Sequence, residues 1–160
     1  MTGESSARRP IVGLALWLAA TLAAGFIGSQ FPPDAWYAAL TKPDWNPPNS
    51  VFGPVWTTLY VLMGISAWLV WKTKGFDGAR TALLLFGVQL LLNALWSWLF
   101  FGLHAPGLAF AEMLVLWAVI LATLLAFWKI SPLAGWLLVP YLLWVSFAAV
   151  LNLQIWRLNM

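Results

Sequence analysis

The sequence predicts an all-α integral membrane protein: five transmembrane helices in a single membrane domain, with a long, partly helical first loop as a lid over one mouth. Three observations predict it. The 160 residues are 62% hydrophobic and 8% charged, whereas a soluble domain carries about 25% charged residues. Five apolar stretches, at roughly 10–30, 53–72, 79–102, 107–128 and 132–154, are each long enough to cross a hydrocarbon core of about 30 Å. Within them only Lys72 and Arg80, at segment ends, and Glu112 are charged.

The first stretch follows Arg8 and Arg9, as the core of a secretory leader would, but its apolar run continues to Phe31, longer than such a core. A membrane helix is therefore expected, and Ala20, Ala24 and Gly28 give it a small-residue face for close packing. Residues 31–52 form the lid. Its apolar side chains, among them Phe31, Trp36, Tyr37, Leu40, Trp45 and Phe52, are too many for a disordered segment. Pro33 and Asp34 can start a short helix over Ala35–Leu40, and Pro43, Pro47 and Pro48 stiffen the remainder. Pro54 suits the start of the second span, and Pro140 should kink the fifth. Connections near 73–78, 103–106 and 129–131 are short, which makes sequential spans antiparallel neighbours.

Basic residues set the orientation. Arg8, Arg9, Lys72, Lys74, Arg80 and Lys129 fall on the side of the N-terminus, against Lys42 and Arg157 opposite. A cytoplasmic N-terminus follows, and a bacterial inner membrane fits it. No basic run tracks a phosphate backbone, so nucleic acid is not an expected partner. Without cysteine there is no thiolate chemistry, and His104 has no second ligand at metal spacing, so no metal site is expected and His104 reads as solvated. No catalytic triad, carboxylate pair or phosphate loop is present.

The chain holds 13 Trp, 10 Phe and 3 Tyr, more aromatic residues than interfacial belts need, which points to an aromatic-lined cavity. Trp56, Tyr60, Gly64 and Trp68 recur at four-residue spacing, and Tyr141, Trp144, Ala148 and Asn152 share a face of the last span. Gln89, Asn93 and Ser97 form a polar stripe on the third. Such a stripe either bonds neighbouring helices or faces a ligand. Aromatic faces with a few polar groups suit a flat apolar ligand, whereas Trp68, Trp71, Trp128 and Trp156, near span ends, read as packing and anchoring. Glu112 either carries protons or snorkels to the interface.

Three segments carry a resemblance. KPDWNPPNSVFGPVWTTLY (Lys42–Tyr60), QLLLNALWSWLFF (Gln89–Phe101) and PYLLWVSFAAVLN (Pro140–Asn152) closely resemble the signatures of the tryptophan-rich sensory/translocator (TspO/MBR) family, and similarity runs from Ile11 to Asn159. The resemblance implies five spans, a cavity closed by the first loop, and a homodimer. It also implies binding of porphyrins such as protoporphyrin IX, with no required cofactor, in a receptor or sensor role. Trp36, Tyr37 and Trp45 match the family's loop aromatics. Trp56 and Trp144 match the cavity tryptophans tied to porphyrin binding and, in some bacterial members, to light-dependent porphyrin breakdown. Asn93 and Ala148 match further pocket positions, and Glu112 falls where many relatives have Asp. Transport of porphyrins or sterols is a further family role. Leu153, however, stands where the proposed cholesterol motif of mammalian members has tyrosine, which argues against sterol transport.

Overall fold

A computed structural model describes residues 3–160, with side chains from Arg9 onward, so the Arg8 side chain counted above lies outside the described residues. Six α-helices follow in order: α1 Gly3–Gly28, α2 Ala35–Ala39, α3 Asn49–Gly78, α4 Arg80–Ser97, α5 Pro106–Ile130 and α6 Pro132–Leu158. A π-helical turn, Trp98–Gly102, extends α4. Five segments are long and apolar enough to cross a membrane: Arg9–Gly28, Asn49–Gly78, Arg80–Gly102, Pro106–Ile130 and Pro132–Leu158. Their outer faces carry apolar side chains such as Phe26, Leu91 and Leu143, at 68%, 74% and 65% exposure. Lipid is the environment that accepts such a surface without penalty.

The helices close into a ring in which α1 packs on α3, α3 on α6, α6 on α5, α5 on α4 and α4 on α1. Close approach of α1 and α3 depends on glycine. A Cβ on Gly13 would sit 2.2 Å from the Trp71 ring, and one on Gly64 would meet the Leu18 backbone at 3.1 Å. The packed face of α1 is thus Gly13, Trp17, Thr21 and Ala24. Ala20, expected on that face, is exposed.

Several boundaries differ from expectation. The second span starts at Asn49, directly after Pro47 and Pro48, because the residue before a proline resists helical geometry and the residue after does not. Pro54 therefore lies inside α3 and not at its start. At the other end the expected 73–78 connection is more helical than a loop: two helical stretches meet there across a kink at Gly75, at φ 67° and ψ −176°, where only glycine is unstrained. Helix α6 carries Pro140 in its interior, as expected. Ser131 alone separates α5 from α6, accepting the Ala134 N–H as a helix cap with Pro132 in the first turn.

The end of the bundle bearing Arg9, Lys72, Arg80 and Lys129 is solid. Phe86 and Phe127 stack there at 5.6 Å, both at most 1% exposed. The tryptophans near that end fill gaps: Trp68 donates to the Pro10 carbonyl at 2.7 Å, and Trp128 covers Gly135. At the opposite end the lid builds its own cluster. Tyr37, Leu99, Phe100, Leu151 and Ile155 are buried there, with Trp36, Leu40 and Phe52 packed against them. Between the two packed regions the bundle is hollow.

Candidate functional site

The hollow is a cavity of about 410 Å³, within the range of small-molecule sites. Each spanning helix contributes to it. Gly25 and Gly28 come from α1, Trp56 and Tyr60 from α3, Asn93, Trp96 and Ser97 from α4. Phe100 and Phe101 come from the π-helical turn, Met113 and Leu116 from α5, and Trp144, Val145 and Ala148 from α6. Phe31, Pro33, Tyr37 and Phe52 form the roof. Gly25 is needed: a Cβ there would lie 2.6 Å from the Tyr60 ring.

Polar groups at this wall are few and positioned. The Tyr60 hydroxyl donates to Asn93 Oδ1, and Asn93 Nδ2 donates to the Tyr141 hydroxyl at 3.0 Å. That hydroxyl in turn donates to Gln89 Oε1 at 2.7 Å. Three helices are joined by this chain of bonds, each worth about 0.6 kcal/mol in a membrane. Trp96 Nε1 donates to Asn152 Oδ1 at 3.0 Å, and Asn152 Nδ2 to the Pro106 carbonyl at 2.8 Å. Trp144 Nε1 is buried with no partner among the described residues, an unsatisfied donor on a residue of the cavity wall, which is costly unless something else accepts it. Trp56 stacks on Tyr60 at 5.6 Å, and Phe52 meets Trp144 edge-on at 5.9 Å.

Of the residues put forward for the ligand site, Tyr37, Trp56, Tyr60, Asn93, Ser97, Trp144 and Ala148 line the cavity, as does Asn152 from the same face of α6. Five do not. Gln89 and Tyr141 lie behind the wall, where they hold Asn93. The polar stripe thus does both things open to it: Gln89 bonds between helices, Ser97 lines the cavity and Asn93 does each. Trp36 is turned aside, stacked on His104 at 4.3 Å, and Trp45 is 47% exposed with its edge against Phe147. Glu112 has both carboxylate oxygens buried without a partner among the described residues, yet it is not part of the lining. His104 is exposed, as expected, with 40% of its side chain accessible, and it also pairs its Nε2 with Asp34 Oδ2 at 2.9 Å.

Trp96, Phe100 and Phe101 were missed, although Asn93, Trp96 and Phe100 follow one another at steps of three and four. The π-helical turn that brings Phe101 to the same wall leaves no such periodic mark.

The lid is fixed from both flanks. Asp34 caps α2 by accepting the Tyr37 N–H at 3.1 Å. Asn159, beyond α6, accepts the Thr41 N–H at 2.9 Å and donates to the Thr41 carbonyl at 2.8 Å. Burial in the lid cluster raises the Tyr37 phenol above its ordinary value of 10.0, so it stays neutral over the cavity.

Fold and site together define a multi-pass membrane protein with a roofed, aromatic-walled internal cavity. The chain belongs to the TspO/MBR family, which matches residues 14–157. It is 44% identical to the tryptophan-rich protein TspO of Chlorobaculum tepidum over 94% of this chain and 98% of that one. It is 44% identical to the human translocator protein over 84% and 82%, respectively. With the tryptophan-rich sensory protein of Cereibacter sphaeroides it shares 41% over 89% of each chain.

Proposed function

We propose that the protein is a membrane receptor or sensor that binds porphyrins, protoporphyrin IX and related tetrapyrroles, and other flat apolar molecules in this cavity. One observation carries the reading: a roofed hollow of about 410 Å³ whose wall is aromatic and aliphatic apart from a few oriented polar groups. Flat apolar guests gain most from such a wall, through burial and ring contact. The names of the relatives, tryptophan-rich sensory protein and translocator protein, are consistent with it. Trp56, Tyr60, Trp144 and Ala148 would form the sides of the site, with Asn93 and Ser97 as polar contacts and Tyr37 as cover. Titration of the purified protein with protoporphyrin IX should quench tryptophan fluorescence saturably, and Trp56→Phe with Trp144→Phe should weaken the affinity. Unchanged affinity in the double variant removes this site.

A second reading is light-dependent porphyrin breakdown, favoured by both Trp56 and Trp144 lining one cavity, where a guest would touch either indole. Absorbance followed in light and in darkness decides it: a bilin-like product formed only in light supports breakdown, and none in either condition ends it. Proton-coupled transport through Glu112 has less support, since that carboxylate does not line the cavity. The protein would act as a homodimer, with the exposed Ala118 and Ala122 of α5 as one candidate contact. It would sit in a bacterial inner membrane with its N-terminus in the cytoplasm, in keeping with the basic residues at that end.

A further inference from the structure

A second hollow lies across the lid from the first. It is a cleft lined by Asp34, Lys42, Asn46 and Asn49, together with Pro33 and Tyr37. Pro33, Tyr37 and Asn49 line both hollows, so these residues form a partition between an apolar cavity and a polar cleft. The lining of the cavity contains no cation, and that of the cleft contains one, Lys42.

Among the described residues, no carboxylate pairs with Lys42. Its Nζ donates to the Leu40 carbonyl at 3.1 Å and the Ala38 carbonyl at 3.4 Å, and lies 4.5 Å from the centre of the Tyr37 ring. The acid in the same cleft, Asp34, is engaged elsewhere, by His104 and by the Tyr37 N–H. A neutral set of partners fixes the ammonium against the partition and leaves it without a paired carboxylate among the described residues.

An ionised acid cannot remain in the apolar cavity, because an unpaired buried carboxylate is far too costly. We propose that the cleft is an acid-recognition subsite, and that the ligand is an amphiphile. Its flat apolar body lies in the cavity, and a carboxylate at its edge passes between Tyr37 and Asn49 to pair with Lys42. This assignment rests on the cavity being the porphyrin site, where the propionates of protoporphyrin IX would be the acids concerned. Asn46 and Asn49 offer amide groups beside them.

The test compares protoporphyrin IX with its dimethyl ester, which has the same ring and no ionisable acid, on the purified full-length protein and on Lys42→Gln and Lys42→Arg. The diacid should bind the wild type about three- to tenfold more tightly than the ester, the worth of one partly exposed charge-assisted contact. Lys42→Gln should erase that preference by weakening the diacid alone, and Lys42→Arg should retain it. Equal affinity of diacid and ester for the wild type overturns the subsite while leaving the cavity reading intact. So does a Lys42→Gln variant that binds both as the wild type does, or that weakens both equally. If neither compound binds the wild type, the cavity reading fails and the subsite fails with it.

Discussion

His104 and Asp34 meet at 2.9 Å across the seam between the α4–α5 connection and the lid. Trp36 stacks flat on the same imidazole at 4.3 Å, so one histidine grips the short lid helix by a polar contact and by a ring face. The residue holds this place with φ at 51°, in the left-handed region, where a branched or bulky side chain is strained and asparagine is tolerated.

Removing that grip should loosen the lid without unfolding the bundle. In His104→Ala, backbone amides of Ala35–Ala39 should exchange with deuterium several-fold faster, while those of α5 keep wild-type protection. His104→Gly separates the two contributions. It relieves the backbone but loses the contacts, so equally fast lid exchange in both variants assigns the effect to the contacts.

The lid should also loosen in acid. The Asp34 carboxyl is held below its ordinary value of 3.8, first by accepting the Tyr37 N–H; desolvation opposes this and His104 adds to it. A depressed value in the folded state means that the contribution is complete above 3.8 and is lost as the pH falls below it. Lid exchange, corrected for intrinsic rates, should therefore rise between about pH 5 and about pH 2. Asp34→Asn, which can still cap α2, should flatten this dependence.

Gly75 should be intolerant of any side chain, although a Cβ there would touch nothing within 4 Å. The obstacle is the backbone at φ 67°, and Gly75→Ala should cost about 1–3 kcal/mol, read as a lower melting temperature in detergent. Gly87→Ala is the control. It too meets nothing within 4 Å, and in a regular helix it should be neutral or stabilising by up to about 1 kcal/mol.

Tyr141 and Asn93 should separate support from contact. Tyr141→Phe removes the hydroxyl that receives from Asn93 and donates to Gln89, so stability should fall by about 1 kcal/mol with little change in porphyrin affinity. Asn93→Ala should lower both, because Asn93 also lines the cavity. Equal affinity losses in the two variants would remove the distinction.

Much of this architecture was legible in the chain. The five spans follow from hydropathy, and the inward faces of α3 and α6 follow from the spacing of Trp56 with Tyr60 and of Trp144 with Ala148. What spacing does not resolve is depth. Tyr141 lies on the same helical face as Trp144, yet its hydroxyl is drawn behind the wall by Asn93 and Gln89, and the residue is 1% exposed. The lid was harder, because tertiary contacts distribute its aromatics. Tyr37 faces the cavity, Trp36 is captured by His104, and Trp45 stays at the rim. Gly75 and the π-helical turn are single-residue departures from helical period, which average hydropathy does not register.

The most direct test is a structure of the protein determined with protoporphyrin IX. The tetrapyrrole plane should lie between Trp56 and Trp144, beneath Tyr37 and beside Asn93. A porphyrin bound instead on the lipid-facing surface, near Leu91 or Leu143, with these aromatic walls unoccupied, would contradict the account.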